Sequence, residues 1–118
     1  MREETALELA VGLLQLPSRA RALRDAPLPR DVDALLDIVA DERHARADAA
    51  RVTGLSEHTV SEAASFYIEQ ILLHPDADCY RALGASSDAT FEQLRRNMAL
   101  LLRWLHPDLE STAPARST

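Results

Sequence analysis

Apolar side chains recur at steps of three and four residues over long stretches of this chain, and that spacing collects them on one face of an α-helix. With 3 Gly, 6 Pro and 4% aromatic residues, the chain has few of the turns and aromatic strands that a β-barrel or β-sandwich needs. The sequence therefore predicts an all-α fold, a small domain of six to seven helices.

Proline, glycine and capping residues set the predicted helix boundaries. Pro17 stops the first helix, Gly54 is placed to cap the end of a polar helix, and Ser56 is placed to cap the start of the next. The helical segments are predicted at residues 3–16, 31–40, 42–52, 57–73, 79–83 and 91–105, with a short Arg-rich segment at 18–26. The predicted core residues are Ala6, Leu9, Ala10, Leu13, Leu14, Val32, Leu35, Leu36, Val39, Val60, Ala64, Tyr67, Ile71, Leu94, Met98, Leu101, Leu102 and Leu105.

Charge balance and cysteine content narrow the classes of function. The formal net charge is −6, and all 13 basic residues are Arg. An acidic balance is a poor basis for binding nucleic acid or an anionic membrane, so we expect neither as a partner. The single Cys79 cannot form an intramolecular disulfide, and the sequence shows neither a basic leader nor a long apolar run, so we expect a cytoplasmic protein.

No pattern of reactive residues indicates catalysis. The sequence contains no phosphate-binding loop, catalytic triad or pair of carboxylates typical of acid–base chemistry. Cys79 has only Arg81 as a neighbouring cation, so we interpret it as a small buried residue rather than a nucleophile. A metal site at His74, Asp76, Asp78 and Cys79 lacks a second cluster of ligands at suitable spacing. We therefore expect no enzyme activity, no cofactor and no metal.

Residues 78–108 contain an ordered series of motifs. The segment opens with Asp-Cys-Tyr-Arg-Ala-Leu-Gly at 78–84, passes through Asp-Ala-Thr at 88–90 into Phe-Glu-Gln-Leu-Arg-Arg at 91–96, and ends in His-Pro-Asp at 106–108. A short helix closed by Leu-Gly, an Asp-Ala-Thr turn and His-Pro-Asp after a long helix follow the J-domain pattern. The stretch therefore resembles the J-domain, the module with which DnaJ-type co-chaperones stimulate DnaK-type ATPases.

The resemblance implies a docking site in the C-terminal third. Apolar stripes on the two helices allow them to pack antiparallel across the 85–89 loop. The resemblance implies that the chaperone ATPase recognises the His-Pro-Asp tripeptide together with basic residues on the long helix. The implied partner-binding residues are His106, Pro107, Asp108, Arg95, Arg96 and Arg103. We divide the chain into an N-terminal helical region at 1–77, a truncated J-like hairpin at 78–109 and a frayed tail at 110–118.

Departures from the family pattern leave alternatives open. Ten residues follow Asp108 and few are apolar, so we expect the family's third helix to be missing and upstream helices to supply its packing. Leu100 and Trp104 stand where the family usually has basic residues, and they form an apolar ridge that is either core or a partner surface. The protein is then either a co-chaperone of a DnaK-type ATPase or a degenerate J-like adaptor that binds another protein or a second copy of itself.

Residues 49–68 offer a third interpretation, because they resemble a helix-turn-helix of the LuxR kind. Ala50 and Gly54 have the spacing of its tight turn, and a second helix opens directly after it. In that motif the second helix enters the DNA major groove and its first residues contact bases. No Arg or Lys lies between Val52 and Tyr80, so the segment is poorly equipped for phosphates. We interpret it as a glycine-capped turn between core helices.

Overall fold

A computed structural model describes residues 5–75, 77–85 and 88–105. The described residues contain helices and no strand, which confirms the all-α prediction. The seven α-helices are α1 (Ala6–Gln15), α2 (Ala20–Asp25), α3 (Asp33–Ala40), α4 (Ala45–Thr53), α5 (Glu57–Tyr67), α6 (Cys79–Ala82) and α7 (Phe91–Leu105). Short 3₁₀ turns at Pro17–Arg19 and Glu42–His44 precede α2 and α4, and a π-helical turn at Ile68–Leu72 extends α5.

Capping residues fix several helix ends, and two of them, Ser56 and Gly54, were predicted from the sequence. The Thr5 hydroxyl accepts from the Glu8 backbone N–H at 3.1 Å while the Glu8 carboxylate accepts from the Thr5 N–H at 2.8 Å, a capping box that starts α1. The predicted cap at Ser56 is confirmed, because its hydroxyl accepts from the Thr59 N–H at 3.0 Å. Gly54, with φ of 76°, ends α4 as predicted.

The helix predicted at 42–52 is wrong in its first turn. Asp41, Arg43 and His44 have positive φ values of 54°, 50° and 62°, so the chain turns sharply before α4 begins. The Arg46 side chain then donates at 2.9 Å to two carbonyls in the last turn of α3. The Ile38 carbonyl also accepts from the Asp41 N–H that caps α3, and the added bonds from Arg46 hold the end of α3 beside the start of α4.

The core forms around α5, which packs against α1, α3 and α4. Most of the predicted core residues in the first 72 positions are buried, while Leu9 and Leu14 are half-buried. Leu100 and Leu101 of α7 belong to the same apolar cluster, because α7 packs against α3. The N-terminal helices and the C-terminal helix therefore share one core across the boundary that we drew after residue 77.

The predicted core face of α7 is wrong by roughly a quarter of a turn. Met98, Leu102 and Leu105 were expected in the core and are instead exposed, whereas Leu100 and Trp104 pack inward. The reason is the identity of the neighbour, since α7 lies against α3 and not against the single turn of α6. Of the two interpretations of the Leu100–Trp104 ridge, ordinary core is confirmed.

Candidate protein-interaction site

The chain reaches α7 through a tightly fixed corner. The Asp78 carboxylate accepts from the Arg81 N–H at 2.8 Å and starts α6. Gly84 follows the helix with φ of 65°, and a Cβ there would lie 3.3 Å from a Leu72 methyl and 3.4 Å from a Leu36 methyl. The Leu-Gly step of the J-domain resemblance therefore meets a local requirement, because only glycine fits both the φ and the space.

Hydrogen bonds cap the start of α7 and join its middle to this corner. Thr90 and Gln93 cap the helix reciprocally, with hydrogen bonds of 2.9 and 3.1 Å between the side chain of each and the backbone N–H of the other. The buried Asn97 amide donates to the Leu83 carbonyl at 2.7 Å. The order of short helix, loop and long helix is thus retained, but the predicted antiparallel packing of two apolar stripes is replaced by one polar contact and by packing on α3.

Two of the three arginines assigned to partner binding face acidic residues of this chain. Arg96 donates to Asp37 at 2.5 Å, and Arg103 donates to Glu42 at 2.6 Å. The hydrogen bond and charge of Arg103 hold the pKa of the Glu42 carboxyl below its ordinary value of 4.5. Both ion pairs are partly open to solvent, so each contributes little to stability. They also neutralise the side of α7 that carries them.

Arg95 lies apart from these pairs. Its guanidinium stands 5.8 Å from the centroid of the Phe91 ring, a cation–π contact one helical turn away. Within the described part of the chain Arg95 makes no ion pair. Of the three arginines assigned to the outer face, Arg95 is therefore the one with which a partner can form an ion pair without displacing a carboxylate of the described residues.

Arg95 belongs to an exposed row that runs the length of α7. Phe91 is 72% exposed, and Met98, Leu102 and Leu105 are between 45% and 49% exposed. We call these five residues the α7 stripe. Their steps of four, three, four and three residues are the spacing with which one helix packs along another. The periodicity was visible in the sequence, but three of these side chains were assigned to the core.

The tripeptide His106, Pro107 and Asp108 lies outside the described residues, as does the predicted tail at 110–118. The helix that precedes the tripeptide is described up to Leu105, which is the last member of the α7 stripe. The stripe therefore extends to the residue before the tripeptide.

The helix-turn-helix interpretation can be compared with the positions of α4 and α5. The Gly54 N–H donates to the Ala50 carbonyl at 2.8 Å, which closes the turn between them. On α5, Val60 is buried in the core, while Glu57 and Glu62 are exposed. These positions favour the glycine-capped turn, because the exposed start of the second helix presents carboxylates and not cations.

Cys79 is exposed, so the prediction of a buried cysteine is wrong. It is the first residue of α6, a single turn whose first two residues both face solvent. Asp78 serves as the cap of that turn.

No group of three His, Cys, Asp or Glu residues placed to hold a metal was found among residues 5–75, 77–85 and 88–105.

Comparison with protein-family models gives no match, and comparisons with curated proteins and with solved structures give none either. The J-domain resemblance is therefore a prediction that depends on the motifs at 78–108. Among the described helices, none combines the length and apolar character required to cross a bilayer.

Proposed function

We propose that this protein acts by binding another protein, as a J-domain-like adaptor whose docking surface is the α7 stripe. The observation that carries the proposal is the row of four large, exposed apolar side chains at helix-packing spacing on one side of α7. Burying a large apolar side chain contributes about 1.5–3 kcal/mol, so covering the exposed parts of these four supplies several kcal/mol to association.

The stripe specifies the chemistry of its partner. A row with alternating steps of four and three residues fits an amphipathic helix that carries apolar residues at the same spacing. Arg95 stands between Phe91 and Met98 in this row and makes no ion pair with the described residues. A carboxylate on the partner helix, opposite Arg95, would form a charge-assisted hydrogen bond there.

Recruitment of a DnaK-type ATPase is the second candidate. Two features favour it: Arg95 makes no ion pair with the described residues, and Leu105, the last residue of the α7 stripe, directly precedes His106. Arg96 and Arg103, the other two basic residues that the resemblance implies, already pair with Asp37 and Glu42. An electrostatic contact with the ATPase would have to compete with those pairs, so the adaptor has the better support.

A helical peptide with leucine at heptad a and d positions and one central glutamate tests the adaptor. Fluorescence anisotropy should show saturable binding, and Met98→Glu and Leu102→Glu should each weaken it at least tenfold, because each would bury a charge in an apolar contact. Val52→Glu is the matched control, since Val52 is 80% exposed on α4. Absence of binding, or an equal loss in the Val52 variant, would refute the docking surface.

The co-chaperone version has a separate test. The protein is added to a DnaK-type ATPase and turnover is measured with the parent chain and with His106→Gln. Stimulation that His106→Gln abolishes would support ATPase recruitment, and a parent chain that fails to stimulate would reject it. The peptide experiment is independent of this outcome, so the two functions can be told apart.

A further inference from the structure

A cavity of about 390 Å³ lies between α2, the end of the π-helical turn and α6. Its lining includes the charged side chains of Arg21, Arg24, Asp25 and Arg81 together with the imidazole of His74. None of the five residues of the α7 stripe lines this cavity. Its volume falls within the range that small-molecule sites occupy.

Two of the arginines are held in place by neutral groups. Arg24 donates through Nε to the Gln70 carbonyl and through Nη2 to the Gln70 side-chain amide oxygen, both at 2.9 Å. Arg81 donates to three backbone carbonyls, at 2.8 Å to Leu23, 3.0 Å to Ala26 and 3.2 Å to Ile71. Neither guanidinium forms an ion pair within the described residues. Both charges are therefore positioned in advance by neutral groups, and no carboxylate of the described residues forms an ion pair with either.

Arg24 and Arg81 each have guanidinium N–H groups beyond those used in the hydrogen bonds described above. A guanidinium has five N–H groups. Arg24 uses two of them and Arg81 uses three in the hydrogen bonds described above. Arg21, one helical turn before Arg24 along α2, is exposed and makes no hydrogen bond or ion pair with the described residues. Arg21 can thus turn toward an anion that the other two already attract.

The charge of the lining contrasts with that of the whole chain. Among the described residues that line the cavity, three arginines stand with one carboxylate, that of Asp25, whereas the whole chain has a net charge of −6. Arginine forks match the geometry of phosphate oxygens and bind them through paired, charge-assisted hydrogen bonds. A cationic lining in an acidic protein therefore favours a multiply charged oxyanion over a neutral ligand.

We propose that this cavity is a binding site for a phosphate group, either free inorganic phosphate or the monoester of a small molecule. Arg24 and Arg81 fix the position of the phosphate, and Arg21 closes over it from the exposed side. The cavity is larger than a phosphate ion requires, so it has room for a small organic group attached to the phosphate.

The test is an NMR titration of the full chain with inorganic phosphate, phenyl phosphate and benzoate at constant ionic strength, because salt screens such contacts. The Nε–H resonances of Arg24 and Arg81 should shift saturably with both phosphates and much less with benzoate. Tighter binding of phenyl phosphate than of inorganic phosphate would identify an organic monoester as the ligand, and equal binding would identify the free ion.

Three exposed positions supply the variants. Arg21→Ala should weaken phosphate binding about fivefold, and Asp25→Asn should strengthen it by a similar factor, because each changes one charge beside the anion. Arg51→Ala is the matched control on α4, where Arg51 is exposed and pairs with Asp48. If the shifts of the Arg24 and Arg81 Nε–H resonances do not saturate up to about 10 mM phosphate, the proposal is overturned. Equal effects of the Arg21 and Arg51 variants on phosphate binding would also overturn it.

Discussion

Gly84→Ala tests whether the corner between α6 and α7 requires glycine. Alanine in the left-handed region costs about 1 kcal/mol through the backbone alone. The new methyl would also lie 3.3 Å from a Leu72 methyl and 3.4 Å from a Leu36 methyl, and both leucines are fully buried. Overpacking of this kind costs about 1–2 kcal/mol more. We therefore expect Gly84→Ala to lower the free energy of unfolding by about 2–3 kcal/mol.

Gly54→Ala separates the two contributions, because Gly54 has φ of 76° and nothing lies within 4 Å of the added methyl. It should cost only the backbone strain, about 1 kcal/mol. Urea denaturation followed by circular dichroism measures both variants, and at a slope of about 1.5 kcal/mol per molar urea the Gly84 midpoint should fall by about 1.3–2 M. If Gly84→Ala is no more destabilising than Gly54→Ala, the packing of this corner is not as described.

Three further predictions concern side chains that join distant parts of the chain. Arg81→Met should destabilise the fold by about 2–3 kcal/mol in the same urea assay, because it removes the Arg81 donor from three backbone carbonyls, of which the Leu23 carbonyl keeps the Ala26 N–H as a second donor. Asn97→Ala should cost about 1–3 kcal/mol by removing the Asn97 donor from the carbonyl of the half-buried Leu83, and Asn97→Asp, which cannot donate from a carboxylate, should not restore it. The folded-state pKa of Glu42 is lowered, so its contribution to stability is complete at neutral pH and is lost as the pH falls below 4.5 through that pKa. Stability curves of the parent chain and of Glu42→Gln should therefore converge in acid, whereas parallel curves would show that the Arg103 contact is not formed.

Local sequence signals predicted the first two-thirds of the fold well. Caps such as Ser56 and Gly54 act within one turn, so their effect can be read without knowing the tertiary partner. The buried faces of α3 and α5 were also recovered, because each helix has one apolar side. The sharp turn at 41–44 was missed, since positive φ is uncommon for any residue other than glycine, and the enrichment of Asp and His in that region is too weak to mark a turn by itself.

The face of α7 could not be predicted from periodicity alone. The helix has apolar residues on two adjacent sides, one with Leu100 and Trp104 and one with Met98 and Leu102, so its own pattern does not say which is buried. The J-domain resemblance favoured the second side, because it supposed a hairpin with α6. In the structure, packing on α3, which lies more than fifty residues earlier in the chain, buries the first side, with Leu100 and Trp104.

That choice changes what a partner meets on α7. Relative to the J-domain pattern, the buried side of α7 is rotated by roughly a quarter of a turn. α3 packs on the side with Leu100 and Trp104, where the family usually has basic residues, and Met98, Leu102 and Leu105 face solvent. A protein that approaches the open side encounters Met98, Leu102 and Leu105, with Arg95 as the charge among them. Association there is governed mainly by apolar burial and only weakly by salt. Helix docking is therefore a better match to this surface than an electrostatic contact with a chaperone ATPase.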